Sequence, residues 1–341
     1  MVWRLINGFV FIIPIIVSFI TTLTTTKLWI IRAREIGFVG KDMNKYGDNK
    51  VAEAGGVWVM IGASFGLLTL VAMETYLEKG YEHLNELFAL TTLLLLSGFI
   101  GFLDDTLGWK KGIKPQYRVL ATIPISIPLV VIKAGYSKMN LPLIGTVDFG
   151  ILYPLILIPI GVMGASNAFN MIAGYNGLET LQSILLSMFT AIYAISKNQE
   201  FIFDSAMIML SAALAFLIYN KYPAKVFPGN SFTYGFGAFY AAIVIIGDFQ
   251  KFGLMLFTLY FIELILFIRG LLNGVYKENF GLPQPDGSLK PPYSKCYSIT
   301  HIAIKFLMKI KGRATEKEVV LLIAALQVII GLTTFIIIDW I

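Results

Sequence analysis

The chain of 341 residues contains few of the side chains on which many enzymes depend, with one cysteine, Cys296, and two histidines, His83 and His301. A single cysteine excludes an internal disulfide and any metal site built from several thiolates. Two histidines argue against a histidine-ligated metal site. The sequence also lacks GxxxxGK[ST], HExxH and CxxC motifs, which argues against a P-loop ATPase, a zincin and a thiol redox centre.

Charge is scarce as well, because only 14% of the residues are charged while 57% are hydrophobic. A soluble domain carries about 25% charged residues, so this composition indicates a polytopic membrane protein. The first apolar run, 5–31, is too long for the core of a signal peptide and predicts a retained spanning helix. We therefore expect residues 1–341 to form a single integral membrane domain.

Repeated apolar runs set the predicted architecture. A spanning helix needs roughly 20 apolar residues. Ten runs meet this requirement, near 5–31, 54–74, 86–103, 117–133, 149–165, 178–196, 202–219, 232–247, 252–273 and 319–339. The predicted fold is all-α, a polytopic membrane helix bundle with about ten transmembrane helices.

Positive charge is concentrated in alternate loops. Of the 27 lysines and arginines, 20 lie in one set of loops, namely 32–53, 104–118, 166–178, 220–231 and 269–318. Positive residues stay on the cytoplasmic side, so this set is predicted to be cytoplasmic and both termini non-cytoplasmic. A basic rim on the lipid surface explains the net charge of +6 without a nucleic-acid partner. The long loop 274–318 is expected to cover an active site.

Two adjacent carboxylates, Asp104 and Asp105, close one of the apolar runs. Such a pair can bind Mg²⁺ or divide the roles of base and ligand. Negative charge at a helix C-terminus is unfavourable, which weakens the alternative of a merely solvated helix end. Basic residues follow in the same loop, and the combination fits either a metal-bridged phosphate or a salt-bridged loop: Lys110, Lys111, Lys114 and Arg118.

Amides and glycines are concentrated in the segment Asn167–Glu179, directly after an apolar run. Asn167 and Asn170 share one face if this turn is helical, and amide oxygens are hard, neutral metal ligands. Gly174 allows a ligand to approach the backbone closely, and Asn176 can hydrogen-bond a base or sugar. The alternative is a polar turn between two spans.

Two further polar segments lie in the same set of loops. In Tyr222–Phe232, Asn230 follows Pro-Gly at the start of a predicted span, where helix capping explains it as well as function does. Phe227 could stack on a planar base or lie at the membrane interface. The other segment, Lys41–Glu53, is polar but not specific to one chemistry.

These segments together resemble the polyprenyl-phosphate N-acetylhexosamine-1-phosphate transferases, of the glycosyltransferase family 4 type. The similarity is carried by Asn167–Glu179, with its Ala-Gly-Tyr-Asn-Gly-Leu-Glu ending, by Leu103–Asp105, by Tyr222–Phe232 and by Asp42–Lys45 with Glu53. The Asn-Gly-Leu-Glu form is most similar to the dolichyl-phosphate GlcNAc-1-phosphotransferase branch, and in a short chain it favours an archaeal origin.

The resemblance implies a reaction. N-acetylglucosamine 1-phosphate would pass from UDP-GlcNAc, or a related UDP-HexNAc, to a polyprenyl or dolichyl phosphate on the cytoplasmic face. UMP would be released, and Mg²⁺, or alternatively Mn²⁺, would be required. This is the first step of lipid-linked oligosaccharide assembly for N-glycosylation.

Site roles follow from the same resemblance. It implies catalytic residues Asp104, Asp105 and Lys114, metal ligands Asn170 and Asn230, and substrate-binding residues Asp42, Asn44, Glu53, Asn167, Gly174, Asn176 and Phe227. The family usually has aspartate where this chain has Asn230, so the metal site here has one negative charge fewer. An Arg-His-Arg cluster of the eukaryotic branch has no match near Lys277–Pro285, and His301 is expected to be an ordinary structural histidine.

Two other functions stay open. A bacterial-type enzyme would use undecaprenyl phosphate for cell-wall or surface glycans. A transporter of nucleotide sugars or lipid-linked sugars is favoured by one residue, Glu263, inside the ninth predicted span. The expected location is the plasma membrane of a prokaryote, or the endoplasmic reticulum in a eukaryote. The oligomeric state, including a homodimer, is not determined by the sequence.

Overall fold

The computed structural model describes residues 12–76, 83–107, 115–141 and 145–338. Eight described helices are long and apolar enough to cross a membrane, or nine if one bent pair is a single span. The helices are α1 (Ile12–Glu35), α2 (Gly56–Tyr76), α3 (Leu84–Thr106), α4 (Pro115–Ala121), α5 (Ile127–Val131), α6 (Ile158–Met171), α7 (Leu178–Ser196), α8 (Glu200–Asn220), α9 (Gly229–Ile246), α10 (Gln250–Leu256), α11 (Thr258–Leu272), α12 (Ile299–Lys311) and α13 (Glu316–Ile337).

Two of the ten predicted spans are interrupted, so the described residues contain eight or nine candidate spans where about ten were predicted. The run 252–273 forms α10 and α11, which meet at an angle of 57°. The run 117–133 forms α4, a 3-10 turn over Ile123–Ser126 and α5, and its apolar helical part is shorter than a spanning helix. Pro124 and Pro128 explain this break, because proline lacks the backbone N–H and clashes with the preceding turn.

The predicted helix bundle is confirmed, with three short antiparallel hairpins that the all-α prediction did not include. They pair β1 (Val39–Lys41) with β2 (Lys50–Ala52), β3 (Lys138–Leu141) with β4 (Gly145–Asp148), and β5 (Leu282–Pro283) with β6 (Leu289–Lys290). The first and third lie in the loops predicted over 32–53 and 274–318. Both of these loops are therefore structured.

The predicted loop 166–178 begins later than the sequence suggested, because α6 continues to Met171. A π-helical turn, Tyr153–Leu157, precedes α6 and completes the span. Asn167 and Asn170 both lie within α6, so they share one face of this helix, as the sequence predicted.

Close approaches between α9 and its neighbours position the polar helix ends. A Cβ added at Gly101 of α3 would lie 2.4 Å from the Cα of Ser231. One added at Gly237 of α9 would lie 2.6 Å from the carbonyl oxygen of Ala165 in α6. Glycine at these two positions lets the helices pack closely. The ends of α3, α6 and α9 consequently meet at one face of the bundle.

Candidate functional site

A hydrogen-bonded cluster joins the ends of these three helices. The side-chain nitrogen of Asn170 donates to Oδ1 of Asn230 at 2.6 Å and to Oγ1 of Thr233 at 2.7 Å. The side-chain nitrogen of Asn230 donates in turn to Oδ2 of Asp104 at 2.9 Å. We call Asp104, Asn170, Asn230 and Thr233 the amide cluster. Among the described residues, Oδ1 of Asn170 accepts no hydrogen bond, so it can bind a ligand.

Asp105 faces a different set of partners from its neighbour. It accepts hydrogen bonds from the backbone nitrogens of Asn230, at 2.7 Å, and Ser231, at 3.2 Å, and from the Ser231 hydroxyl at 3.1 Å. The first backbone N–H groups of a helix have no partner within it. Asp105 of α3 therefore caps α9. From the sequence, helix capping was one of the two explanations for Asn230.

Gly229 makes the contact between Asp105 and α9 possible. Its φ of +69° is in the left-handed region, and an added Cβ would lie 2.4 Å from Oδ2 of Asp105. The Pro-Gly-Asn sequence thus combines a turn with the entry into α9 and leaves room for the carboxylate.

Glu53 lies on the Asp105 side of the cluster. Its backbone oxygen accepts from Nε1 of Trp29 at 2.7 Å, and Gly40 of the first hairpin leaves space for its carboxylate. Burial, and secondarily the negative charge of Asp105, raises the pKa of Glu53 to about 7. Near neutral pH, Glu53 can therefore either accept or donate a hydrogen bond.

Asn167 belongs to the same helix face as Asn170 but has other partners. Its side-chain nitrogen donates to Oγ1 of Thr122 at 2.9 Å and to the carbonyl oxygen of Met163 at 2.8 Å. It links α6 to the segment that the prolines interrupt. It is not hydrogen-bonded to the amide cluster.

Gly174 lies in a tight turn directly after α6, with φ at +128°. Its backbone nitrogen donates to Oε1 of Glu179, and its oxygen accepts from the side-chain nitrogen of Asn44, both at 2.8 Å. The ring of Phe280 lies against it, 2.8 Å from the position of an added Cβ. Only glycine fits this conformation and this contact.

A second polar group, the buried junction, consists of Asp42, Lys45, Asn176 and Glu316. The side-chain nitrogen of Asn176 donates to Oδ2 of Asp42 at 3.0 Å and to Oε1 of Glu316 at 2.6 Å. Its Oδ1 accepts from the backbone nitrogen of Ala224 at 2.7 Å. Lys45 pairs with Glu316 and lies 3.6 Å from Asp42. Asn176 is 4% exposed, so its polar atoms are satisfied within the protein.

The loop after α11 is attached to the end of α6. The side-chain nitrogen of Asn279 donates to the carbonyl oxygens of Met171, at 2.8 Å, and Ala173, at 2.7 Å. Lys277 forms a buried ion pair with Glu263 and donates to the Met171 oxygen at 3.2 Å. These bonds satisfy carbonyls at the helix C-terminus. No sequence motif identified Lys277 or Asn279.

His301 packs behind this loop, as expected for a structural histidine. It is 1% exposed, and its Nε2 is 2.9 Å from the carbonyl oxygen of Glu278. Burial lowers its pKa to about 4, so the ring is neutral at pH 7. It does not supply the positive charge of an Arg-His-Arg cluster.

Phe227 and Lys114 complete the predicted site. Phe227 is half-buried beside the first hairpin, with backbone hydrogen bonds of 2.8 Å to Ala52 and Gly55. Lys114 lies outside the described residues, as do Lys110 and Lys111.

The amide cluster contains oxygen atoms of the kinds that a hard cation binds, and a bound cation would displace the hydrogen bonds that Asn170 donates to Asn230 and Thr233. It combines the carboxylate of Asp104 with the amide oxygens of Asn170 and Asn230 and the hydroxyl of Thr233, and oxygen ligands of this kind suit Mg²⁺. Within the described part of the chain, no group of three or more His, Cys, Asp or Glu side chains could hold a metal ion. Any metal bound here must therefore rely on neutral oxygens in addition to the carboxylate.

Comparison with known proteins identifies the family. The model of glycosyl transferase family 4 matches residues 87–248, which contain most of α3, all of α4 to α9 and the whole amide cluster. A protein of Saccharolobus solfataricus is 34% identical over 96% of this chain and 98% of its own length. It is named, provisionally, as a UDP-N-acetylglucosamine–dolichyl-phosphate N-acetylglucosaminephosphotransferase. This chain belongs to glycosyl transferase family 4.

Other relatives in the family come from eukaryotes and bacteria. A UDP-N-acetylglucosamine–dolichyl-phosphate N-acetylglucosaminephosphotransferase of Dictyostelium discoideum is 27% identical over 83% of this chain and 77% of its own length. A phospho-N-acetylmuramoyl-pentapeptide-transferase of Streptococcus uberis is 32% identical over 60% of this chain and 64% of its own length. The similarity to the archaeal and amoebal proteins extends over more of the chain than the similarity to the bacterial one.

Proposed function

We propose that this protein transfers N-acetylglucosamine 1-phosphate from UDP-GlcNAc to a dolichyl or other polyprenyl phosphate and releases UMP. The names of the relatives that match most of the chain support this substrate pair. The observation that carries the proposal is the amide cluster, where Asp104 and two amides converge at the ends of membrane helices. An acceptor phosphate anchored in the bilayer can reach such a position.

The chemistry that we propose is direct in-line transfer. An oxygen of the lipid phosphate bonds to the phosphorus that carries the sugar, and the bond from that phosphorus to the UMP oxygen breaks. Phosphoryl transfer depends mainly on positioning and charge stabilisation. Asp104 would orient the acceptor phosphate or take its proton, while Asp105 holds the start of α9 in place. A sugar phosphate covalently attached to either aspartate would contradict direct transfer.

Mg²⁺, with Mn²⁺ as the alternative, is the proposed cofactor, and it would neutralise the charge on the donor diphosphate. Asp104, Asn170 and Asn230 would hold it. Asn230 supplies a neutral oxygen where relatives are expected to have a carboxylate, so we expect weaker metal affinity. The proposal predicts that chelation with EDTA stops turnover and that added Mg²⁺ restores it.

For the uridine end of the donor we propose Gly174, Glu53 and Phe227. Gly174 lies in the turn after α6, Glu53 lies beside Asp105, and Phe227 lies beside the first hairpin. Asp42, Asn44 and Asn176 would act there by holding these elements in position, since their polar atoms bind within the protein. Asn167 and Lys114 are proposed for the diphosphate side.

The protein is an integral, multi-pass membrane protein, and we propose that its site faces the cytoplasm. The loops that carry the site residues hold most of the lysines and arginines, in agreement with the positive-inside rule. Both termini would then lie on the other side, in the plasma membrane of a prokaryote. The interrupted segment 117–133 would complete ten membrane passages.

A transporter is the competing class, and one residue favoured it. Glu263 is fully buried, pairs with Lys277 and accepts hydrogen bonds from the Ser298 hydroxyl at 3.1 Å and the Ile299 nitrogen at 2.7 Å. These contacts attach α11 to α12 and to the loop after α11 that contains Lys277 and Asn279, which we call the site loop. They give Glu263 a structural role that does not require a transported substrate.

The decisive test is an assay of purified protein in detergent with UDP-GlcNAc, dolichyl phosphate and Mg²⁺. We expect release of UMP together with a lipid-linked sugar diphosphate, measured by chromatography and mass spectrometry. Asp104→Asn serves as the matched inactive control. Exchanging undecaprenyl for dolichyl phosphate, and other UDP-sugars for UDP-GlcNAc, separates the bacterial-type alternative. Failure of a folded protein to release UMP from any of these pairs would contradict the proposal.

A further inference from the structure

Helix α12 has an exposed apolar stripe opposite the face that packs on the protein. Ile302, Phe306 and Ile310 are 43%, 49% and 63% exposed. They are four residues apart, so they lie along one side of the helix. The buried face carries, among others, Ile299, His301, Ala303, Ile304 and Leu307.

Positive charge borders this stripe. Lys305 and Lys309 are one turn apart on the flank of the stripe, and exposed Arg313 follows the end of the helix. The acidic groups nearby are few, and most are paired. Glu318 pairs with Lys311 at 3.0 Å, and Glu316 is in the buried junction with Lys45. The exposed carboxylate of Asp286 accepts hydrogen bonds from Ser288 and is also influenced by the charge of Arg313.

The depth of α12 is set by its two neighbours. It lies between Leu272, at the end of α11, and Glu316, at the start of α13, and it packs on both helices. Gly312, with φ at +75°, ends α12, and a capping box at Thr315 starts α13. Leu272 and Leu321 are 83% and 54% exposed, as expected for lipid-facing positions. Helix α12 therefore follows the apolar helix α11 and directly precedes α13, which is long and apolar enough to cross a membrane.

We propose that the exposed face of α12 binds the anionic headgroup layer of the membrane leaflet on the site side. Apolar side chains flanked by lysines are the pattern of an interfacial helix, in which the apolar groups enter the acyl boundary and the cations meet lipid phosphates. The chemistry of the partner is thus an anionic phospholipid surface. The inference depends on the membrane-spanning fold and not on the proposed function.

The opposite face of α12 connects this surface to the site loop. Oγ1 of Thr300 donates to the carbonyl oxygen of Asn279 at 2.8 Å, and Ser298, which caps α12, donates to Glu263. Asn279 in turn holds the end of α6 through Met171 and Ala173. Binding of α12 to the leaflet therefore anchors the loop that shapes the site.

The test places an environment-sensitive fluorophore, NBD, on a single cysteine. A Cys296→Ser background carries either Phe306→Cys or, as the matched control, Tyr46→Cys. Tyr46 is 65% exposed in the turn of the first hairpin, outside the α12 stripe, and its neighbour Lys45 pairs with Glu316. Labelled full-length protein is placed in nanodiscs of phosphatidylcholine, with or without phosphatidylglycerol, and quenching by doxyl-labelled lipid is measured. Ile302→Cys is the second position if Phe306→Cys does not fold.

We expect the label at 306 to be blue-shifted and quenched, more strongly with phosphatidylglycerol, while the label at 46 stays water-like. Combining Lys309→Gln and Arg313→Gln should weaken the response to anionic lipid by about fivefold for each charge. The matched control combines Lys290→Gln and Lys295→Gln, which removes the same number of positive charges, and it should leave the response to anionic lipid unchanged. A water-like, unquenched label at 306 in both bilayers, or quenching independent of phosphatidylglycerol and of the two charges, would overturn the proposal.

Discussion

The amide cluster and the buried junction consist of similar residues but differ in how fully their polar atoms are satisfied. In the cluster, Asn170 is half-buried and uses its nitrogen on Asn230 and Thr233, while its oxygen accepts no hydrogen bond from a described residue. In the junction, Asn176 is buried, and both its nitrogen and its oxygen are bonded. Bonding capacity left for a ligand distinguishes a candidate binding group from a structural one.

The difference has an energetic reason. A buried polar network that is fully satisfied rigidifies the structure, whereas a polar atom without a partner in the protein gains from a ligand. The junction joins the first hairpin, the turn after α6, the Tyr222–Phe232 segment and α13. We therefore expect changes in the cluster to reduce turnover and changes in the junction to reduce stability.

The largest expected effect is that of Asp104→Asn. Loss of the carboxylate in the amide cluster should lower UMP release by about 10²–10³-fold, because a group aimed at the reacting phosphate is worth that much. The variant keeps the shape of the side chain, so the thermal midpoint should change little. Steady-state assays combined with thermal unfolding test this. Near-wild-type turnover would remove Asp104 from the catalytic role.

Gly229→Ala should reveal the different role of Asp105. The added methyl group would collide with the carboxylate of Asp105 and force the backbone at φ +69° into strain. Displacing the start of α9 should cost about 10²-fold in turnover, as small misplacements near a reacting centre do. Unlike Asp104→Asn, it should also lower the thermal midpoint. A variant that unfolds normally but has lost activity would place Asp105 in the chemistry instead.

Asn176→Ala tests the buried junction. Removing this amide leaves the Ala224 nitrogen without its partner and takes one hydrogen bond each from Asp42 and Glu316, which keep Lys45. We expect the free energy of unfolding to fall by about 3 kcal/mol. The KM for UDP-GlcNAc should stay close to that of the wild type at a temperature where the variant is folded. A higher KM with unchanged stability would show that Asn176 contacts the donor and would break the contrast between the two regions.

Glu53 predicts a dependence of stability on pH. Its pKa is raised from 4.5 to about 7, so folding favours the protonated form. Stability from this group is present below pH 4.5 and is lost as the pH rises through 7, by about 3 kcal/mol. Glu53→Gln should therefore be more stable than the wild type above pH 7, with the advantage shrinking towards pH 4.5. Thermal midpoints across this range measure the difference, and an advantage independent of pH would contradict the raised pKa.

The smallest effect on turnover is expected for His301→Ala. The ring is neutral near pH 7 and is hydrogen-bonded to Glu278 away from the amide cluster. Stability should fall by about 1–2 kcal/mol through the lost hydrogen bond and contacts. UMP release per folded molecule should change little. A large loss of turnover with normal stability would place this histidine in the site.

Local sequence patterns predicted most of the fold. The span predicted over 178–196 coincides with α7, because a sustained apolar run is a local signal. The span predicted over 117–133 is interrupted because its prolines break the helix. Hydropathy measures only how apolar the segment is, so it does not predict this break. Lys277 and Asn279 escaped prediction because a loop that hydrogen-bonds to carbonyls has neither periodicity nor a fixed spacing.

The sequence by itself determined that this protein is built from membrane helices and which polar segments lie between them, because both properties follow from the order of apolar and polar residues. Only the tertiary structure decided which polar residues form their hydrogen bonds within the protein. Asn230 meets Asp104 across 126 residues, and Asn176 meets Glu316 across 140. Hydrogen bonds over such separations depend on how the helices pack, so Asn170 and Asn176, which lie in the same segment, have different hydrogen-bond partners.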